Sequence, residues 1–234
     1  MIFNGKVLSV CGDFRPTAEE LQSIDTLEKA ISANGGRTQY IKAFYEQDFS
    51  GVNFRLGLIK PNPSNAAVGS INQMFSKYKG TSLPTGIDFA CSPTYQLKSG
   101  YANYLFAYAS KLEEIPDMGI PILLRADRAF AYCYALKKIE VFRIHKTSTF
   151  SNTFDYCHAL EEITIEGVIG QNGLNLSWST KLSHDSLLNV LNCLEDKSSD
   201  TSGTTWKVTL GSANLAKLTA SEKAIATKKG WTLA

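Results

Sequence analysis

The chain has 234 residues, 44% of them hydrophobic and 11% aromatic, which is enough apolar material to bury a substantial core and excludes an intrinsically disordered chain. Lys and Arg number 24 against 22 Asp and Glu, and a net charge of +2 gives no electrostatic reason for a nucleic-acid partner or an anionic membrane surface. There is no run of about 18 apolar residues to cross a membrane, and residues 1–10 (MIFNGKVLSV) lack the apolar core of a secretory leader, so cytoplasmic synthesis without membrane insertion is expected.

In chain order, Val7-Leu-Ser-Val-Cys11 predicts a short strand. Pro16 and the capping box Thr17-Ala-Glu-Glu20 predict a helix carrying Leu21, Ile24, Leu27 and Ile31 on one face and stopping at Asn34-Gly35-Gly36. None of this recurs later, so residues 1–70 are expected to form a small α/β cap or attachment region. Pro61-Asn-Pro63-Ser-Asn65 is its clearest break.

Residues 106–115 (FAYASKLEEI), 130–139 (FAYCYALKKI) and 154–163 (FDYCHALEEI) align without a gap, their phenylalanines 24 residues apart both times. That period falls within the roughly 20 to 29 residues of leucine-rich repeats. Each unit has Phe, Tyr two later, a small residue three later (Ala109, Cys133, Cys157), Leu six later and Ile nine later. A single unit cannot bury such a stripe, so stacking is expected, Phe over Phe and Leu over Leu. The alternation in Ile139-Glu140-Val141 and Ile163-Thr164-Ile165 predicts strands of a parallel sheet. The pairs Glu113-Glu114, Lys137-Lys138 and Glu161-Glu162 would set opposite charges side by side in adjacent units. Phe75-Ser-Lys-Tyr78, followed by Leu83-Pro84 and a strand-like 86–91, reads as a degenerate unit, and Phe44-Tyr45 as the start of another. Each is offset by 31 residues from the next phenylalanine.

Beyond the third unit, Leu174-Asn-Leu-Ser-Trp178 predicts a strand. Ser183 then opens a helix with Leu187, Leu188, Val190, Leu191 and Leu194 at helical spacing. A Ser/Asp/Gly/Thr loop from residue 197 to 205 leads to a strand over 206–210. The capping box Thr219-Ala-Ser-Glu222 starts a helix ended by Gly230, and Trp231-Thr-Leu233 is the last strand. Residues 71–234 thus read as an α/β repeat domain whose C-terminal module, about 171–234, caps the open end.

Chemistry-bearing motifs are missing from the sequence: no phosphate-binding glycine loop, nucleophile elbow, zinc-protease helix or calcium loop occurs. His184-Asp185-Ser186 holds triad residue types, but three consecutive residues at a helix start cannot face one another as a triad does, so helix capping is the expected role. His158 shares its repeat position with Tyr134 and Ser110 and is expected to face solvent or stack. The five cysteines (Cys11, Cys91, Cys133, Cys157, Cys193) are odd in number and have no metal-ligand spacing, so they are expected to be reduced core residues. No catalytic residue, metal or cofactor is expected. The candidate contacts are outward side chains of the units: Tyr108, Tyr132, Tyr134 and Tyr156, with Lys137, Lys138, Arg143 and Glu162. Rings packed at the core edge with only their hydroxyls wet are the expected arrangement of the ladder Tyr108, Tyr132 and Tyr156. A sugar-binding or protein-binding aromatic surface is the alternative.

The units Phe-x-Tyr-Cys-x-x-Leu-x-x-Ile, with the closing run from Leu218 to Leu233, resemble the BspA-like leucine-rich-repeat family over about residues 106–234. The resemblance implies a short right-handed solenoid with a parallel sheet and a role in binding or adhesion rather than catalysis. Members of that family are typically secreted surface proteins. With no leader expected here, the implied context shifts to a virion component of a phage or prophage of a gut bacterium, in a tail, baseplate or head fibre, serving structure or host attachment. A cell-surface or cytoplasmic adhesin or scaffold is the alternative. The implied partners are a protein or cell-surface glycan, other virion proteins, or a second copy of the chain.

Overall fold

In the units around Phe75, Phe106 and Phe130, alternate residues direct their backbone N–H groups into the unit that follows. In the computed structural model, which describes residues 2–3, 6–7, 45, 46, 48, 50, 72–83, 100–120 and 122–234, Tyr104, Phe106 and Tyr108 donate to the carbonyls of Asp127, Ala129 and Ala131. One unit on, Arg128, Phe130 and Tyr132 donate to Ser151, Thr153 and Asp155. Residues between them close local turns, as Ala107 does to Tyr104 and Ala131 to Arg128. The buried backbone of these corners is thereby paired either locally or across the stack, which lets a segment without helix or strand lie in the interior.

This alternation demands corners. Tyr104, Tyr108, Arg128, Tyr132, Asn152 and Tyr156 all have φ between 54° and 64°, two such residues per unit and four apart. Gln73 and Lys77 repeat the pattern one unit earlier. Left-handed backbone is costly for any residue with a Cβ, roughly 1 to 2 kcal/mol each, so the cost is met by the pairing and packing these corners create.

Inside the corners the phenylalanines form a column. Phe75 stacks on Phe106 (centroids 5.0 Å apart), Phe106 on Phe130 (5.7 Å) and Phe130 on Phe154 (5.3 Å). Leu112, Leu136 and Leu160 form a second buried column, and Ile115, Ile139 and Ile163 a third. The Phe75 unit joins this stack despite its 31-residue offset, its N–H donating to Leu105. Glu46 N–H donates to Ser76 and Thr81 N–H to Ser50 Oγ, so inter-unit pairing also reaches residues on the N-terminal side of the boundary expected near residue 70.

Strands β1 (Ile2–Phe3) and β2 (Lys6–Val7) form an antiparallel pair. The repeat units contribute β3 (Gly100–Tyr101), β4 (Glu114–Ile115), β5 (Leu123–Arg125), β6 (Lys138–Thr149) and β7 (Glu162–Glu166), all paired in parallel. Glu114 lies opposite Lys138 and Lys138 opposite Glu162, which is the 24-residue register of the sequence. β6 is much longer than its Ile139-Glu140-Val141 signal, because burial continues through Phe142, Ile144 and Ser148 and its second half pairs with β5. Most of the strand expected at 7–11, the helix expected over 17–31, the break at 61–65, the strand at 86–91, Phe44, Cys11 and Cys91 lie outside the described residues.

After β7 the sheet gains no further strand from the chain. Helix α1 (His184–Cys193) lies along its edge. Ile163 N–H donates to Ser186 Oγ (3.0 Å) and Ile165 N–H to Asn189 Oδ1 (2.7 Å), while Asn189 Nδ2 donates back to the Ile165 carbonyl. Helical side chains thus satisfy edge groups that a strand would otherwise pair, and the edge is closed to other chains. Ser183 caps α1, and the ammonium of Lys229 donates to the carbonyls of Leu191, Asn192 and Leu194 at its far end.

The closing module holds β8 (Trp206–Val208), α2 (Ser212–Leu215), α3 (Ala220–Lys228) and β9 (Trp231–Leu233), with β8 and β9 parallel. Thr219 and Glu222 form the expected capping box. Gly230 turns out of α3 at φ 78°, where a Cβ would meet the Lys197 backbone at 2.9 Å. Buried Asn214 donates to Leu176, Ser179 and Leu210, tying α2 to the preceding turn. Residues 174–178 form a single parallel bridge, Asn175 to Thr209, followed by a turn at 177–178, rather than the expected strand. Leu176, Trp178, Ser179 and Leu182 carry the offsets of Phe, Tyr, small residue and Leu, so this segment is another repeat corner.

Candidate aromatic binding face

In the three units that begin at Phe106, Phe130 and Phe154, the second left-handed position carries a tyrosine. Tyr108 and Tyr132 stack with centroids 4.7 Å apart and planes 5° from parallel, and Tyr132 and Tyr156 repeat this at 4.7 Å and 14°. Trp178 extends the row, its ring 4.4 Å from Tyr156 and inclined by 24°. Tyr134 and His158 form a second row beside it. Tyr134 meets Tyr132 edge-on, and His158 meets Tyr156 and Trp178 edge-on.

This strip is open to solvent. Tyr108, Tyr134 and Trp178 expose 44%, 49% and 37% of their surface, so more than a hydroxyl is wet at the Tyr108 end of the ladder. Tyr132 and Tyr156 are half-buried because rings cover them on both faces. Offset-stacked rings at this separation attract one another by roughly 0.5 to 1.5 kcal/mol per pair beyond the area they bury, which rigidifies the row. Partial burial, and then the neighbouring Tyr108 and Tyr156 hydroxyls, hold the Tyr132 phenol above its usual range. Arg128 flanks the row. Its guanidinium donates to the Tyr104 hydroxyl and lies 5.6 Å from that ring, and the same hydrogen bond raises its pKa.

The charged candidates belong to another part of each unit. Lys137 pairs with Glu113 at 2.7 Å and Lys138 with Glu162 at 3.6 Å, so the alternating charges of the sequence meet across units. Arg143 makes two 2.7 Å hydrogen bonds to the Asp117 carboxylate and approaches Glu166 at 2.9 Å. This grip holds the Asp117 carboxyl below its usual range. Lys137, Lys138, Arg143 and Glu162 are therefore paired within the stack. The sequence pattern passed over Trp178 because its turn starts with Leu176 in place of phenylalanine and comes 22 residues after Phe154. The offsets of two, three and six residues were the signal that marks it.

The remaining reactive types have structural partners. Cys133 and Cys157 are buried, their thiols directed at the carbonyls of Phe106 and Phe130 at 3.1 Å. Burial pushes the Cys157 thiol up to about 12 and the Cys133 thiol well above its usual range, so neither is a thiolate nucleophile near neutral pH. Ser186 is engaged with β7, and His184 Nε2 lies 2.9 Å from Glu222 Oε1, so His184, Ser183 and Ser186 join α1 to its neighbours. No group of three or more metal-ligating side chains occurs among the described residues, and no helix there is long and apolar enough to cross a membrane. No protein-family model, curated protein or solved structure matches the chain.

Proposed function

We propose that this chain is a non-enzymatic binding protein, a short leucine-rich-repeat solenoid that displays the aromatic strip as its contact surface. The observation that carries the reading is the placement of Tyr108, Tyr132, Tyr156 and Trp178 in one stacked, solvent-facing row, with the first three at left-handed corners. Glycine adopts that backbone without penalty, and the first three corners hold large aromatic side chains instead. Rigid aromatic rings lose little entropy on binding and are enriched at binding hot spots.

In the context implied by the BspA-like resemblance, the strip serves attachment from a phage tail, baseplate or head fibre. The same surface would serve a cell-surface or cytoplasmic adhesin or scaffold. The test is binding of fluorescently labelled full-length protein to a panel of intact gut-bacterial cells, with Tyr132→Ala/Tyr156→Ala as the comparison. Lost cell binding with an unchanged circular-dichroism spectrum supports the reading. Cell binding that survives in the folded double variant makes the ladder structural.

A further inference from the structure

The polar tips of the aromatic side chains fall into two sets. Away from the row, Tyr78 Oη donates to the Ser82 carbonyl at 2.9 Å and Tyr104 Oη accepts from Arg128, while the indole N–H groups of Trp206 and Trp231 donate to Asp200 and to the Glu195 carbonyl. In the row and beside it, the hydroxyls of Tyr108, Tyr132, Tyr134 and Tyr156 and the indole N–H of Trp178 make no hydrogen bond to any described residue. The charged groups around these tips are engaged: Arg128 with Tyr104, Asp155 with Asn152 Nδ2 at 2.6 Å, and Lys77 with Glu46 at 3.2 Å. Backbone N–H groups of Tyr108 and Tyr132 are paired through the stack, so an added β-strand finds no donor there.

We infer that this face takes a proline-rich segment of a partner protein, lying along the row as a polyproline II helix. The inference rests on the binding-face reading and names the partner's chemistry. Proline carries a carbonyl acceptor and no N–H, and a polyproline II helix leaves its carbonyls unpaired. Such a segment supplies the acceptors that a line of uncommitted O–H and N–H donors lacks, and it calls for no charge. Spacing points the same way. Tyr108, Tyr132 and Tyr156 are 4.7 Å apart at each step, so alternate rings stand about 9.4 Å apart, against ~9.3 Å for one three-residue turn of polyproline II. Every third residue of the segment then meets an equivalent ring, at Tyr108 and at Tyr156. An α-helix matches neither property, because its carbonyls are engaged internally and its pitch is ~5.4 Å. A second surface flanks the ladder. The planes of Tyr134 and His158 are 12° from parallel with each other, and stand 78° and 83° from those of Tyr132 and Tyr156. Planes crossed in this way run along the row rather than across it, so the exposed Tyr134 ring gives pyrrolidine rings an apolar wall beside the donors. Stacking fixes the ladder in advance and the segment is already extended, which lowers the ordering cost on both sides.

The experiment titrates fluorescein-labelled decaproline, and a labelled Gly-Ser decapeptide for comparison, with the full chain and reads fluorescence anisotropy. Saturable binding of decaproline and none of the Gly-Ser peptide is expected. Tyr132→Phe/Tyr156→Phe keeps the rings and removes two donors, and should weaken binding about fivefold or more. Tyr134→Ala removes the wall and should weaken it about tenfold. Tyr78→Phe, the same change at a hydroxyl bonded within its own unit, should leave the affinity unchanged. Absence of saturable decaproline binding at millimolar protein, equal binding of the two peptides, or undiminished affinity in the folded Tyr132→Phe/Tyr156→Phe and Tyr134→Ala proteins overturns the inference. If decaproline fails to bind while cell binding is still lost in Tyr132→Ala/Tyr156→Ala, the binding face stands and its ligand is not proline-rich.

Discussion

Replacing Tyr156 by alanine and, separately, by glycine divides the ring's contribution from the backbone's. The ring stacks on Tyr132 at 4.7 Å and on Trp178 at 4.4 Å, and two such contacts contribute about 2 kcal/mol together. Both variants lose that. At φ 61° alanine keeps the left-handed penalty, roughly 1 to 2 kcal/mol, and glycine relieves it while adding roughly 0.5 to 1 kcal/mol of unfolded-state entropy. Tyr156→Gly should therefore be more stable than Tyr156→Ala by about 0.5 to 1 kcal/mol. At Ala131, a neighbouring buried position outside the left-handed set, glycine should be less stable than alanine by about 1 kcal/mol. The assay is urea denaturation followed by circular dichroism, with unchanged slopes required before midpoints are compared. If glycine is the worse residue at both positions, the corners are not strained and the account of the aromatic row as a costly placement fails.

Lys229→Met removes three charge-assisted hydrogen bonds to the end of α1 and should cost about 2 kcal/mol, seen first as faster amide exchange in α1 than in the Phe106 and Phe130 turns. Ser179 occupies the small-residue position filled by Cys133 and Cys157, but its hydroxyl is buried without a hydrogen-bond partner. Ser179→Ala should raise the thermal midpoint, by about 1 kcal/mol of stability, and a lower midpoint would refute that. Asp117→Asn should destabilise the protein near neutral pH. Because the folded Asp117 pKa is depressed by Arg143, its contribution is complete above the ordinary aspartate value of about 3.9 and is lost as pH falls through the lower folded value. Urea midpoints of the two proteins should thus converge on acidification, and a gap independent of pH would contradict the assignment.

The 24-residue spacing of Phe106, Phe130 and Phe154 anticipates both the phenylalanine column and the Glu114–Lys138–Glu162 register, because a strict period leaves one way to superpose successive apolar stripes. The caps at Ser183 and Thr219 and the exit at Gly230 were legible because each rests on local chemistry. The turn at Leu176 was not, since Leu for Phe and Trp for Tyr preserve volume and burial while erasing letter identity. The left-handed corners were hidden for another reason. No glycine or asparagine marks Tyr108, Tyr132 or Tyr156, and only pairing between units imposes that backbone. Nor does any local signal show that Ser186 and Asn189 on a helix would serve the edge of a sheet.

The alternation from Glu113 to Lys137 to Glu161 gives the array a parity. Deleting the middle unit would bring Glu113-Glu114 against Glu161-Glu162, and duplicating any one would bring like against like at the new joint, whereas inserting two adjacent units keeps every joint attractive. Aromatic and aliphatic positions impose no such rule, because a phenylalanine stacks equally well on either neighbour. Changes in the length of this protein should therefore be tolerated in steps of two units, and the outward charges, worth little to stability, would act as its counting device.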